Sequence, residues 1–131
     1  MDVFQTHGAI SWQELMVDDL DAAKKFYGEV FGWTLEDAQM EGMDHVYTVI
    51  KVGDSQIGGI MAKPPEAVGA PSSWTTYVTV DNVDDTIERV SSNGGKVIVP
   101  AMNVPGVGRM AHLQDAEGAV IAIITYEAPQ S

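Results

Sequence analysis

The chain repeats one pattern about 63 residues apart, and this repeat restricts its fold more than any other feature. Trp12-Gln13-Glu14-Leu15-Met16-Val17-Asp18-Asp19 leads into an amphipathic segment closed by Gly32. Thr75-Thr76-Tyr77-Val78-Thr79-Val80-Asp81-Asn82 leads into another, closed by Gly95. Each copy is a strand-like run that ends in an acidic cap, a helix, and a glycine stop. Self-similarity at a fixed period marks a repeated structural unit. A period of half the chain implies a single domain over residues 1–131, built from two modules at about 8–63 and 74–127.

Local patterning supplies the rest of each unit. Ile10 to Val17 alternates as a half-buried strand does. Asp18 or Asp19 then caps a helix whose apolar stripe is Leu20, Ala23, Phe26, Tyr27, Val30 and Phe31. Gly32 suits the left-handed position that ends such a helix. Trp33 to Leu35 is extended, His45 to Val52 is a strand, Gly53-Asp54 a turn and Gln56 to Ala62 its hairpin partner. Pro64, Pro65, Gly69 and Pro71 mark a linker at the module boundary. In the second copy Asp81 or Asn82 caps a helix bearing Val83, Ile87 and Val90, which Asn93-Gly94-Gly95 ends. Lys96 to Val99 reads as extended and Pro100 to Gly108 as a Pro/Gly loop. Arg109 to Gln114 and Ala119 to Tyr126 form a hairpin around Asp115-Ala116-Glu117-Gly118. The expectation is an α+β fold of two tandem βαβββ modules.

Composition narrows the function classes. No run of about 18 apolar residues exists, so no membrane-spanning helix is expected. Met1-Asp2-Val3-Phe4-Gln5-Thr6-His7 lacks the basic and apolar regions of a signal peptide. With no cysteine, disulfides, thiolate ligands and cysteine nucleophiles are excluded. A cytoplasmic protein with no membrane partner is the expectation. The formal charge of −12, with seven scattered basic residues, argues against nucleic acid, whose binding rests on neutralising phosphates with Lys and Arg.

The duplicated plan, together with Phe26-Tyr27-Gly28-Glu29-Val30-Phe31-Gly32-Trp33 and Asp115-Ala116-Glu117-Gly118, resembles the glyoxalase/bleomycin-resistance/extradiol dioxygenase superfamily, the vicinal oxygen chelate proteins. Trp12-Gln13-Glu14-Leu15, Gly58-Gly59-Ile60 and Pro105-Gly106-Val107-Gly108-Arg109 are phrases of its single-domain glyoxalase-like subgroup. The resemblance covers roughly Gly8 to Tyr126. It implies a curved mixed sheet or half-barrels with helices on the outer face, two half-barrels enclosing a site, and a homodimer. It also implies that catalytic members hold a divalent metal through His, Gln or Glu on the first and last strands of the modules. The matching positions are Trp12 and Thr75, seven residues before the caps, and Met61 and Ala122, seven past the turn aspartates. None suits a hard catalytic cation: a thioether is soft, indole and methyl offer nothing, and one hydroxyl is weak.

The expected function is therefore a glyoxalase-like small-molecule-binding protein without the family's metal ligands and with no cofactor. It would take a modest apolar or aromatic ligand in the sheet concavity. The alternative is a divalent-metal-dependent lyase, isomerase or dioxygenase using relocated ligands, for which Glu14, His45 and His112 form the candidate set. The expected ligand-binding residues are Trp12, Glu14, Met16, Met61, Thr75, Tyr77, Arg109 and Ala122. Glu14 and Met16 share the face of Trp12, and Tyr77 that of Thr75, by strand alternation. Arg109 would either pair with an anionic ligand group or hold its loop through backbone carbonyls. A purely structural or protein-interaction domain, with a filled barrel and an exposed apolar patch at a subunit contact, is a third reading. Catalytic residues, ligand identity and the facing of His45 and His112 stay open at this level.

Overall fold

The structure, a computed structural model, describes residues 1–39, 46–64 and 69–127. Its elements are β1 (Ile10–Val17), α1 (Leu20–Phe31), β2 (Thr34–Gln39), β3 (Val46–Val52), β4 (Ser55–Ala62), β5 (Ser73–Thr79), α2 (Val83–Glu88), a 3-10 turn (Ser91–Asn93), β6 (Lys96–Val104), β7 (Gly108–Gln114) and β8 (Val120–Tyr126). This is the α+β fold of two βαβββ modules. The chain divides into two compact units, one of Trp12–Trp74 and one of Met1–Ser11 with the chain from Thr75 onward.

In the first unit the strands lie in the order β2-β3-β4-β1. β1 and β4 are parallel, from Gln13 opposite Gly58 to Val17 opposite Ala62, and the other pairs are antiparallel. In the second unit the order is β5-β8-β7-β6, with β5 and β8 parallel and the rest antiparallel. A parallel pair needs a long crossover, and in each module the helix lies within it.

One face of each sheet is packed against its helix. In the first unit Leu15, Val17, Ile50 and Ile60 are buried against Leu20, Ala23 and Tyr27 of α1, with Trp33 and Leu35. In the second, Val80, Val83, Ala111, Leu113 and Ile123 are buried with Ile87 and Val90. The period-2 alternation of strands sends the residues between them to the opposite, helix-free face. Within each unit that face carries candidate side chains.

The helix starts resolve as side-chain caps. Asp19, not Asp18, accepts the amide of Ala22, and Asn82, not Asp81, accepts that of Asp85. Each satisfies an amide that the first helical turn leaves without a partner. Gly32 closes α1 at φ 72°, where a side chain would be strained.

Three expectations change. The stripe on α1 is only partly covered: Leu20, Ala23 and Tyr27 pack on the sheet, whereas Phe26, Val30 and Phe31 are more than half exposed. A helix lying on a sheet buries an arc of its surface, and Phe26 and Val30 fall to one flank of that arc. α2 ends at Glu88 rather than running to Asn93; a separate 3-10 turn follows, closed by Gly94 at φ 87°. Pro100 to Val104 is strand, not loop, because β6 continues through it. Proline gives no ladder amide and is tolerated at sheet edges and bulges. β6 pairs with β7 on one side, and its register shifts between Val97 and Val99 and again between Val99 and Met102. The described strand β3 starts at Val46; His45 lies outside the described residues. Among the described residues no helix is long and apolar enough to cross a membrane.

Candidate functional site

Each module carries a polar bridge on its helix-free face. In the first module the indole N–H of Trp12 on β1 donates to the Tyr47 hydroxyl on β3 at 2.9 Å. That hydroxyl donates in turn to Glu14 Oε2 at 2.9 Å. Glu14 and Tyr47 are each only 8% exposed, so the carboxylate is held where hydrogen bonds are needed to offset lost hydration.

Gly59 on the intervening strand makes this crossing possible. A Cβ there would stand 1.9 Å from the Tyr47 hydroxyl oxygen and 2.1 Å from Cζ. The tyrosine lies flat across the glycine to reach β1. Gly58 has a separate reason to lack a side chain, since its Cβ would meet the Gln13 carbonyl at 2.4 Å. Met61 is buried and Met16 partly buried on the same face as Glu14. Trp12, Glu14, Met16 and Met61 are thus brought together, and Tyr47 joins them.

In the second module the Tyr77 hydroxyl on β5 lies 3.3 Å from His112 Nε2 on β7. The two rings stand edge to face with centroids 5.8 Å apart. Ala122 on the middle strand is opposite Tyr77 on one side and His112 on the other. Its methyl leaves room for the two long side chains to meet above it. Met110 Sδ also contacts the Tyr77 hydroxyl at 3.9 Å. Thr75 is buried on this face.

The facing of His112, open from sequence, is settled by Ala111 and Leu113, which go into the helix-side core. Burial pushes its imidazole below the ordinary value near 6.5, so the ring is neutral at pH 7 and offers one donor and one acceptor nitrogen.

The repeat relates the bridges without superimposing them, since Glu14 is opposite Gly59, whereas Tyr77 is opposite Ala122, the counterpart of Met61. Glu14 and Tyr77 are equivalent positions of β1 and β5. Continuing the register of Thr48 with Ile60 by one residue sets Tyr47 opposite Met61, as His112 is opposite Ala122. One module therefore presents a phenol and a carboxylate, and the other a phenol and a neutral imidazole.

Arg109 is not brought to these groups. It lies on the helix side of β7, where its Nε and Nη2 donate to Asp84 of α2 at 2.8 and 3.0 Å and its Nη1 to Asn103 at 3.1 Å. That pairing holds the Asp84 carboxyl below its usual value. His7 is likewise engaged, its Nδ1 accepting the Asp81 amide at 2.9 Å.

The four positions at which metal ligands are implied hold Trp12, Met61, Thr75 and Ala122. These do not fit a hard divalent cation, since one hydroxyl is the sole hard donor and the indole nitrogen carries a proton already given to Tyr47. Among the described residues no three His, Asp or Glu side chains are grouped to hold a metal; His45 of the relocated set falls outside them.

Sequence reasoning left Tyr47 and His112 out of the expected binding set. For Tyr47 a signal existed: a Gly-Gly pair within a strand marks close approach by another group. For His112 nothing local decided the parity.

The model of the Glyoxalase/Bleomycin resistance protein/Dioxygenase superfamily matches residues 9–123. A putative glyoxylase, CFP32, of Mycobacterium bovis is 36% identical over 117 residues, covering 88% of this chain and 45% of that protein. The anthracycline biosynthesis protein DnrV of Streptomyces peucetius is 34% identical over 127 residues, covering 88% and 46%. The chain spans about half the length of these curated relatives. Among solved structures, methylmalonyl-CoA epimerase from Mycobacterium tuberculosis has a TM-score of 0.66 at 19% identity over 95% of this chain and 92% of that one, a likeness of fold.

Proposed function

The chain belongs to the glyoxalase/bleomycin resistance protein/dioxygenase superfamily, and within it we propose a small-molecule-binding protein that works without the family's divalent-metal chemistry and as a homodimer. The observation that carries this reading is the content of the four ligand positions. Trp12, Met61, Thr75 and Ala122 replace oxygen and nitrogen ligands with apolar or weakly polar groups, and Tyr47 fills the space beside Trp12 with a hydrogen-bonded ring.

The ligand is a modest apolar or aromatic molecule with one cationic or hydrogen-bonding group. Within the first module Trp12, Met16 and Met61 offer apolar contact beside a polar tip, and within the second Thr75, Met110 and Ala122 do so beside Tyr77, as small-molecule sites do. Methionine adapts to irregular apolar shapes. Glu14 would receive a cationic group, and Tyr77 with His112 a neutral donor or acceptor. The relative named for anthracycline biosynthesis supports flat polycyclic aromatics as the first class to test.

Two measurements test the reading. Protein purified without a histidine tag, incubated with Mn, Fe, Ni, Co or Zn and then desalted, should retain no stoichiometric metal by mass spectrometry. A thermal-shift panel of polycyclic aromatic and small cationic aromatic compounds should give a hit whose affinity falls about tenfold in Glu14→Gln or Tyr77→Phe, the loss of one hydrogen bond to the ligand. Stoichiometric metal that survives desalting would overturn it.

A further inference from the structure

In the second unit the chain from Asp2 to Gly8 packs against the place where β5 and β8 both finish. Asp2 starts a turn there. Its Oδ1 accepts the Phe4 amide at 3.0 Å, and its carbonyl accepts the Gln5 amide and the Thr6 hydroxyl at 3.1 and 2.7 Å. Two contacts hold the turn down. The Thr79 hydroxyl donates to the Val3 carbonyl at 2.6 Å, and the Phe4 and Tyr126 rings stand edge to face with centroids 5.1 Å apart. Between the turn and the strand ends lies a cleft of about 380 Å³, a size that small molecules occupy. Neither Tyr77 nor His112 lines it.

The hydrogen-bonding groups around this cleft are mostly acceptors. The backbone amides of Phe4, Gln5, Thr79, Val80, Asp81 and Glu127 are each given to a protein acceptor. The Thr79 and Thr125 hydroxyls give their protons to the carbonyls of Val3 and Val80, and a hydroxyl so engaged can only accept from another group. Of the lining side chains only Gln5 and Tyr126 can still donate, and the Tyr126 hydroxyl is already hydrogen-bonded to Ser11 at 2.7 Å.

Charge follows the same direction. Asp81 and Glu127 bring carboxylates, and among the described residues no lysine or arginine lines the cleft. His7 does not neutralise Asp81. The nitrogen it turns toward that carboxylate, at 3.8 Å, accepts the Asp81 amide and so carries no proton.

We propose that this cleft binds a primary ammonium group carried on a small apolar or aromatic body. An ammonium presents three donors and no acceptor, the inverse of what the cleft presents. Phe4 and Tyr126 supply aromatic surface for the attached body, and ring faces attract positive charge. An anionic ligand finds those amides already taken and meets two like charges, while a neutral alcohol forms no charge-assisted hydrogen bond with its own charge. The site is separate from the two polar bridges and does not depend on what they bind.

The test uses the whole chain, with phenethylammonium as the probe and phenylpropionate and phenylethanol as anionic and neutral controls of similar shape. Backbone amide NMR shifts are followed at neutral pH and about 0.15 M salt, where long-range attraction between exposed charges is screened. The probe should shift the amides of residues 79–81 and 125–127 saturably, with a dissociation constant on the order of 1 mM, ordinary for so small a ligand. Both controls should bind about tenfold more weakly or less. Phe4→Ala and Asp81→Asn should each weaken the probe by about fivefold. Asp21→Asn, which removes the same charge from an exposed position of α1, should leave binding unchanged. Should Phe4→Ala release the turn, Asp81→Asn still decides the question, because that side chain is 83% exposed.

Equal binding of either control would overturn the ammonium assignment. Equal weakening by Asp21→Asn would overturn it as well, since the effect would then belong to the overall charge of −12. Probe shifts confined to Trp12, Glu14 and Tyr47 would overturn this site while favouring the cationic group proposed for Glu14. No saturable shift at the cleft would overturn the site alone.

Discussion

The first and second modules share a sheet plan and differ in how each completes its two faces. On the helix side, α1 has 12 residues and none fully buried, while α2 has only 6 and buries Val83 to 1% exposure. On the helix-free side, Tyr47 reaches a carboxylate across a glycine, while Tyr77 reaches an imidazole across an alanine. The pairing of strands is thus the conserved quantity between the copies, because it satisfies backbone groups whatever the side chains are. The helix and the polar tips are free to diverge without altering the fold.

Substitutions at the middle strand should test the contrast between the bridges most severely. Gly59→Ala places a methyl inside the Tyr47 ring; it should displace that ring, break its hydrogen bonds to Trp12 and Glu14 and lower stability by about 3 kcal/mol in urea unfolding. Ala122→Val, at a fully buried position whose neighbours need its small size, should cost about 2 kcal/mol. A Gly59→Ala protein as stable as wild type would show that Tyr47 has an alternative seat, and that the bridge is not required by packing.

The helices supply the next comparison. Val83→Ala removes buried methyls from the second core and should cost about 2 kcal/mol. Phe26→Ala removes a larger side chain from α1 yet should change monomer stability by no more than about 0.5 kcal/mol, because most of that ring is exposed. Equal losses at the two sites, measured at concentrations too low for association, would mean that α1 is docked as firmly as α2.

Removing single hydroxyls should separate the bridges by charge. Tyr47→Phe takes a hydrogen bond from a buried carboxylate and should cost about 2 kcal/mol, against about 1 kcal/mol for Tyr77→Phe, whose partner is neutral. The smallest effect is pH-dependent and belongs to the second module. Burial lowers the folded-state value of His112 below its ordinary one near 6.5, so between those two values the unfolded chain binds more protons than the folded chain. The stabilisation is therefore complete above about pH 6.5 and is lost as pH falls toward the folded value. His112→Gln should flatten that part of the stability profile, whereas Tyr47→Phe should leave its slope in place. A profile unaltered by His112→Gln would show that the slope arises elsewhere.

Much of this architecture was legible in the residues. The 63-residue repeat, a cap at Asp18 or Asp19 and another at Asp81 or Asn82, the glycine at position 32 and the turn at Asp115 are local signals, each tied to a backbone requirement that nearby residues meet. The errors fell where distant groups decide. Pro100 reads as a loop marker, yet β6 accommodates it through register shifts against β7. The stripe on α1 has the right period, but the spacing of six apolar residues does not say how many the sheet will cover. Arg109 follows a glycine turn as expected, and its partner turned out to be Asp84, 25 residues away.

The sequence by itself determined the α+β class, the two βαβββ modules and a strongly acidic chain, because these follow from residue identity and spacing along the chain. Only the tertiary structure decided that Tyr47 crosses Gly59 to reach Glu14, that His112 meets Tyr77 above Ala122, and that Arg109 turns away from them both. Each of those outcomes depends on which residues lie opposite one another on neighbouring strands. A shift of one residue in that register reverses every side chain on a strand, and no signal within a single strand specifies the alignment of its neighbour.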